Sequence, residues 1–559
     1  MFIHRFYPFQ RPEELDKPTE HIYDVVVVGA GPVGLTLTLA LARQGVAVLL
    51  LDDNNRVSDG SRALCFSKRS LEIFDKLGVA KPMMEKGVCW NVGRIFFHQK
   101  EIDCFDLTPD QRSKHPAFIN LPQYYVEDYL IKAASDEQNV EIRWLNKLVE
   151  IEQQPAGHVT IQVETPEGTY SLYTKILVAC DGSQSSIRHL MNLRMQEQHF
   201  EERFLIVDFR MEADFPAERW YWFYPPFAKE QSIMLLKQPD NLWRLDIKLG
   251  KDASTSLIDD RQFIKDKISS LVGHRSFELD WTSIYSYSSK MLERFVHDQV
   301  IFAGDSAHIV SPFGARGANG GIEDADNLSW KLATVLKGQA EASLVETYNA
   351  ERTAAARQNI ASTSESNLFI APPSKAATWF RNEILEKAGN DPLAKKQINC
   401  GRLSVPCIYG KYPDSEQGDW PNPELSPGRA VKDCKMADGF LIDKLGYCFT
   451  VLTIENTFSK PDIATLQQNQ IKIVEVIAEQ NQDLVSLYKL HTGSGYLLSP
   501  DLYVVGRWKS INYKSMMALY QKYLSGEVPE LYEWQKSEQE IIDREVASKI
   551  MELSHENQK

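Results

Sequence analysis

The chain lacks any Cys-x-x-Cys pair among its eight cysteines, so it carries neither a dithiol exchange centre nor the usual zinc-ligand spacing. The thiols (Cys65, Cys89, Cys104, Cys180, Cys400, Cys407, Cys434, Cys448) are scattered, which argues against a disulfide framework and for reduced side chains in a cytoplasmic protein with no metal centre. Positive charge is in deficit: 62 Lys and Arg stand against 76 Asp and Glu, a net charge of −14. Such a surface is not built to neutralise nucleic acid or anionic lipid, although a small anionic ligand needs only a local site. The opening run MFIHRFYPFQRPEELDK has no apolar core of the secretory kind. Low-complexity character is missing too. Hydrophobic residues at 43%, charged residues at 25% and 26 prolines spread over 559 positions exclude a disordered, collagenous or coiled-coil chain. A chain of this length divides into several domains, since single cores rarely exceed roughly 250 residues.

Long uncharged runs are scarce, and the stretch from Val25 to Ala42 is the one that approaches a membrane span in length. Its punctuation gives a different reading. Four valines after Asp24 form a strand buried on both faces; Gly29-Ala30-Gly31-Pro32-Val33-Gly34 is a turn; a helix then runs to Arg43-Gln44-Gly45. A second apolar run, Val46 to Leu51, ends in Asp52-Asp53. In such a βαβ unit the glycines let the backbone approach a pyrophosphate, the helix start offers unpaired N–H groups, and Asp52 accepts ribose hydroxyls. Pro32 fits the first helical turn, where its missing N–H costs nothing. This predicts a dinucleotide site and no membrane helix.

Two further segments end apolar strands in an acid. Residues 176–182 read Ile-Leu-Val-Ala-Cys-Asp181-Gly182 and lead into Ser183-Gln-Ser-Ser-Ile-Arg188. Residues 300–308 read Val-Ile-Phe-Ala-Gly304-Asp305-Ser-Ala-His308, followed by Ser311-Pro312-Phe-Gly314-Ala-Arg316-Gly317-Ala318-Asn319-Gly-Gly321 and a helix. Each pattern puts a carboxylate and free N–H groups at the carboxyl edge of one sheet.

Together GAGPVG, DGSQSSIR and GDSAHIVSPFGARGANGGIEDADNLSWKLA resemble, in order, the three fingerprints of the single-component FAD-dependent aromatic hydroxylases, the class of p-hydroxybenzoate, phenol and 3-hydroxyphenylpropionate hydroxylases. The resemblance implies FAD reduced by NADH or NADPH, reaction with O₂ to a C4a-hydroperoxide, and transfer of one oxygen to an electron-rich aromatic ring. It implies roles residue by residue. Gly29, Gly31, Pro32, Val33 and Gly34 would face the FAD pyrophosphate, and Asp52 the adenosine ribose. Arg62 and Gln123 would meet the cofactor. Asp181, Gly182 and Arg188 would serve FAD and the nicotinamide, and Gly304 and Asp305 the ribityl chain. Pro312, Gly317, Ala318 and Asn319 would lie against the isoalloxazine, with N–H donors where charge develops on reduction. Asp305 could instead cap the next helix. His308 reads as a packing or hydrogen-bonding residue, and Arg316 as either a loop residue or a charge near the flavin. No second GxGxxG marks a nicotinamide domain, so NADH versus NADPH stays open.

Residues 203–249 alternate apolar and polar, including Arg219-Trp-Tyr-Trp-Phe-Tyr224 and Leu242-Trp-Arg-Leu-Asp246-Ile247, which reads as an antiparallel sheet lining a substrate cavity. Candidates for catalysis are Pro312, Tyr221 and Tyr285, and for substrate contact Trp222, Tyr224 and Tyr287, because rings stack on rings and a tyrosine hydroxyl binds a phenol. Trp220-Tyr-Trp-Phe-Tyr-Pro225 also comes within one residue of the WxWxIP signature of flavin-dependent halogenases. The same flavin fold would also serve epoxidation of a non-phenolic substrate, or a flavoprotein without turnover.

The expected architecture is α/β. A Rossmann-like FAD-binding domain over 20–362 (segments about 20–95, 120–200 and 290–362) is interleaved with an antiparallel substrate sheet (about 96–119 and 201–289). A linker with helices spans 363–430. A domain over 431–528 resembles the thioredoxin-like domain of the phenol hydroxylase branch, where Pro-Asp-x-Tyr-Val-x-x-Arg-Trp recurs. It lacks CxxC and is expected to serve stability or a homodimer contact. A helical tail covers 529–559. The expected partners are a small aromatic substrate and O₂.

Overall fold

The computed structural model describes residues 5–58, 62–108, 112–154, 157–228, 231–250, 254, 258, 260–417, 420 and 422–532, with backbone only at 199–201 and 287. The tail expected over 529–559 therefore lies almost wholly outside the described residues. No helix among the described residues is long and apolar enough to cross a membrane; the uncharged stretch is divided between the strand Ile22–Val28 and the helix Pro32–Arg43.

That strand is buried on both sides, as its β-branched run requires. It pairs in parallel with Val48–Asp52 on one edge and Gly168–Ala179 on the other. Val140–Trp144 and Val300–Phe302 extend the parallel order outward. The hairpin Lys147–Gln154 and His158–Thr165 covers the overhanging start of Gly168–Ala179 in antiparallel register. Helices Pro32–Arg43 and Gly317–Leu336 pack against each other beside the sheet. Burying each valine or leucine of this core contributes about 1.5–3 kcal/mol. The strands end at one edge, bringing Gly29, Asp52, Asp181 and Gly304 to it.

A second sheet runs in the order His308–Ile309, Glu278–Met291, Gln196–Arg210, Leu242–Lys248, Ser232–Lys237, Arg219–Phe223, Val92–Phe97, Lys100–Asp106. Its pairs are antiparallel except Arg219–Phe223 with Val92–Phe97. Its strands begin at Val92 and Gln196, ahead of the expected 96 and 201, because the ladder holds those residues in register. Both faces are covered. Trp220, Trp222, Leu235, Trp243, Leu245 and Ile247 pack toward the helix Arg261–Val272. Tyr221, Phe223 and Phe204 pack toward Phe313.

The region read as a linker is docked. Ile384, Leu385 and Ala388 of the helix Lys375–Ala388, with Ala394 of Pro392–Gln397, join the Phe313 side of this sheet.

Near the C-terminus, a five-stranded sheet has the order Glu416–Gln417, Val504–Trp508, Gly495–Leu498, Thr450–Ile454, Lys472–Val476. Its loop Ser499-Pro500-Asp501 reaches into the first domain. Asn327 Nδ2 donates to Asp501 Oδ2 at 2.6 Å, Lys76 Nζ to the Pro500 carbonyl at 3.0 Å, and the Arg69 guanidinium to the Asp501 carbonyl. Beside it, Glu351 takes Lys331 Nζ at 2.5 Å and the Tyr523 hydroxyl at 2.7 Å. These side chains are buried or nearly so.

Candidate active site

Glycine is required at two positions of the first turn. Gly29 has φ +107° and a Cβ there would stand 2.4 Å from the Cys180 carbonyl oxygen; at Gly34 a Cβ would meet the Gly29 carbonyl oxygen at 1.9 Å. At Gly31 a Cβ would meet no atom within 4 Å, so the turn opens on free space at the start of the helix, where unpaired N–H groups favour an anion. Asp52 closes the neighbouring strand and accepts from the Ala30 N–H at 2.5 Å and the Asn54 N–H at 2.8 Å. Burial pushes its pKa up to about 6 against these donors.

Gln123 accepts from the Ala63 N–H at 3.1 Å and donates to Glu127 at 2.7 Å, so it holds the segment after Arg62 against its helix. Arg62 lies within electrostatic reach of Asp305, Tyr285 and Glu127. Asp181 spends Oδ2 on the Ile187 N–H and Ser186 hydroxyl, while its buried Oδ1 has no partner. Gly182 has φ +77°. Arg188 is buried with its guanidinium on the Ser306 and Ser183 carbonyls at 3.1 and 2.7 Å. It braces the two acidic segments against each other.

Asp305 is exposed to solvent, and yet surrounding protein raises its carboxyl, with His308 and Arg62 opposing. Tyr285 is 48% exposed in the same place, its pKa raised by burial and then by Asp305. Gly304 has φ +64° and packs against Val33, and its N–H donates to Asp324 at 2.9 Å.

Pro312 is exposed, above buried Phe313, and begins a turn closed by the Ala315 N–H. The helix Gly317–Leu336 follows, and its first N–H groups, those of Gly317 and Ala318 among them, have no acceptor within the helix. Two polar side chains of this loop face inward. Arg316 donates to the Arg402 and Leu403 carbonyls and to Asn359, all within 3.2 Å, which decides for a loop role. Asn319 turns its side-chain amide inward, to the Ser67 N–H, the Ser70 hydroxyl and the Cys65 carbonyl at 2.6–2.9 Å, so any cofactor contact from it falls to the backbone. His308 Nε2 sits 2.6 Å from Asp324, beneath the site.

The two-residue period of a strand sorts the aromatics. Tyr221 lies on the Phe313 side, 2% exposed; its hydroxyl approaches Ser232 but closes no hydrogen bond. Trp222 is corrected as a substrate contact, because it points to the other face and stacks on Phe96 at 5.1 Å. Trp220 shares that face, so the halogenase-like pair serves sheet packing. Tyr224 is half-buried, with Arg381 donating to its hydroxyl and lying over its ring. The side chain of Tyr287 lies outside the described residues. Sequence reasoning missed Asp246. Its strand places it with Arg244 on the Phe313 side of the sheet, and the alternation of charged 244, 246 and 248 with apolar 243, 245 and 247 was the available signal.

A model of the family described as FAD binding domain matches residues 22–363. A 3-(3-hydroxy-phenyl)propionate/3-hydroxycinnamic acid hydroxylase of Mycolicibacterium smegmatis is 28% identical over 67% of this chain, which spans 66% of that protein. Para-nitrophenol 4-monooxygenase of Pseudomonas sp. strain WBC-3 is 26% identical over 68% of this chain and 95% of its own length. Among solved structures, the flavin-dependent monooxygenase PieE in complex with FAD and substrate matches with a TM-score of 0.75 and 20% identity over 91% of this chain and 100% of that one. The free room at Gly31, the orphaned Asp181 oxygen and the exposed Asp305 carboxylate at the same sheet edge all fit the cofactor these comparisons name, and the chain belongs to the FAD binding domain family, that of the single-component FAD-dependent aromatic hydroxylases.

Proposed function

We propose that the protein is an FAD-dependent monooxygenase that hydroxylates a phenol-like small molecule with O₂ and NADH or NADPH. The observation that carries this reading is the meeting of exposed Asp305, at the carboxyl edge of the parallel sheet, with half-exposed Tyr285 of the second sheet and exposed Pro312 beside Phe313, which we read as the walls of a cofactor cleft. Bound there, FAD would supply two-electron redox chemistry between a nicotinamide, O₂ and an electron-rich ring.

The chain's own groups bind and orient. Gly29, Gly31, Pro32, Val33 and Gly34 would hold the pyrophosphate, Asp52 the adenosine ribose, and Asp305 with Gly304 the ribityl hydroxyls. Arg62 and Gln123 would bound the cofactor from the side, and Asp181 with Gly182 would line its approach. The Gly317 and Ala318 N–H groups would face the flavin edge that gains charge on reduction, with Pro312 beside it. The apolar wall of Phe204, Phe313 and Tyr221 excludes water from the ring to be oxidised. The C-terminal unit we read as thioredoxin-like: a β-helix-β pair, Thr450–Ile454 and Lys472–Val476 in parallel, is followed by the hairpin Gly495–Leu498 and Val504–Trp508 and a closing helix Tyr513–Leu524.

A panel of phenols, phenylpropionates and indoles scored for stimulated NAD(P)H oxidation tests the reading. At least one phenol should stimulate oxidation and yield a product heavier by one oxygen; oxidation that no ring stimulates would overturn it. In Asp305→Ala, FAD should be retained at least tenfold less tightly in equilibrium dialysis, and a variant that keeps wild-type affinity would remove Asp305 from the cofactor site.

A further inference from the structure

The substrate side of the cleft holds one acidic group that its surroundings do not use. Asp246 lies on the strand Leu242–Lys248 in register with Met234 and, on the other side, with Ile206. Its neighbours Leu245 and Ile247 turn to the opposite face, so Asp246 points to the side lined by Phe204, Phe313 and Tyr221. Its Oδ1 is buried and has no hydrogen-bond partner. The residue as a whole is part-exposed while that oxygen is buried.

The charged neighbours are committed elsewhere. Arg244 on the same strand pairs with Asp208 of Gln196–Arg210 at 3.1 Å and donates to the Arg62 carbonyl. Arg219 of Arg219–Phe223 donates to the Cys400 carbonyl at 2.8 Å. Lys248 faces Glu202 at 3.6 Å. Cys65, also within electrostatic reach of Asp246, packs in the cluster that contains Ala315 of the Pro312–Asn319 loop. Asp246 therefore stands between the sheet and the place assigned to the flavin. On the same cross-strand row, two strands away and about 10 Å between backbones, Tyr221 presents another buried polar atom without a partner on this face.

A buried carboxylate oxygen left open costs free energy unless a ligand donates to it. We propose that Asp246 is the catalytic base and specificity determinant of this pocket, receiving the ring hydroxyl of a neutral phenol; the assignment rests on the hydroxylase reading above. The O–H bond of the phenol breaks as its proton passes to the Asp246 carboxylate, and the electron pair stays on oxygen, enriching the ring at the ortho and para carbons. Burial, partly offset by Arg244, holds the Asp246 carboxyl up at about 6. It is protonated and unable to accept below that pH, so kcat/KM should fall as pH drops through about 6 and level off above it.

The test compares Asp246→Asn with wild type, both loaded with FAD, using the phenols that wild type hydroxylates. The variant should keep its FAD content. It should lose about 100-fold in kcat/KM, lose the acid limb of the profile, and bind the phenol at least tenfold more weakly by calorimetric titration. A purely structural residue would not move the acid limb. Wild-type kcat/KM and acid limb in the variant, with wild type active, would overturn the assignment alone. Wild type inactive on every phenol of the panel would overturn the hydroxylase reading and the assignment with it.

Discussion

Gly34→Ala is expected to give a protein purified with little or no FAD and no NAD(P)H oxidation activity, whereas Gly31→Ala is expected to fold normally and fail only at the cofactor. The two positions share a turn and differ in what a methyl group would meet. At Gly34 it would stand 1.9 Å from the Gly29 carbonyl oxygen and 3.2 Å from the Cys180 side chain. Backbone must shift to admit it, at a cost of about 1–3 kcal/mol for overpacking, and the shift falls where strand, turn and helix meet. At Gly31 no chain atom lies within 4 Å, so a methyl group disturbs nothing until a pyrophosphate approaches. Urea unfolding of the apoproteins should separate them: Gly34→Ala destabilised, Gly31→Ala at wild-type stability with FAD affinity at least tenfold lower. A Gly31→Ala protein that binds FAD normally would move the pyrophosphate elsewhere.

Arg352→Ala is expected to lower stability by about 3–5 kcal/mol, the range for removing one partner of a buried ion pair. Arg352 is 1% exposed. It donates to Asp324 at 2.6 Å, to the Tyr409 hydroxyl at 3.0 Å and to the Gly320 carbonyl at 2.9 Å, with Glu323 3.4 Å away. Asp324 in turn receives the Gly304 N–H and His308, so one guanidinium ties the second acidic motif to the start of the helix after it. Burial alone would raise the Asp324 carboxyl, but His308 and Arg352 hold it far below the usual carboxylate range. A carboxyl depressed on folding contributes stability that is present above its unfolded pKa and lost as pH falls toward the folded value. Loss of Arg352 should therefore lower stability most at neutral pH, and the deficit against wild type should shrink as pH falls below the usual carboxylate range, because Asp324 is no longer held so far below its unfolded pKa; unfolding at a series of pH values follows this. Arg352→Lys, which keeps charge but not the planar fork, should fall between the two.

The strand-turn-helix units were legible because they depend on local pattern: a β-branched run, glycines at set intervals and an acid eighteen residues beyond Gly34. Side-chain direction within the aromatic cluster was not. Composition alone suits both Trp222 and Tyr221 to a cleft, although neighbours on a strand face opposite ways. Arg188, Arg316 and Asn319 carry the right chemistry for a phosphate or a flavin edge, and only the fold reveals that backbone carbonyls and amides already occupy them. The docking of Lys375–Ala388 was hidden by the proline-, glycine- and polar-rich stretches around it, which mark a linker. Asp246 was hidden in plain sight, since a charge on a strand reads as solvent-facing until a second layer is seen to cover it.

The insertion of Ser499-Pro500-Asp501 beside Asn327, Lys331 and Glu351 bears on how chain length varies among relatives. The para-nitrophenol enzyme corresponds to 68% of this chain while using 95% of its own, which leaves it little room for a comparable C-terminal unit. In the present protein that unit supplies the wall that keeps Lys331 and Glu351 from water. A version cut before Val431 would not be a smaller enzyme of the same kind. It would turn an interior of paired charges and the ring of Trp330 into surface, and acquire a raw face prone to self-association; the boundary drawn by sequence resemblance is thus not a place where the molecule can be divided.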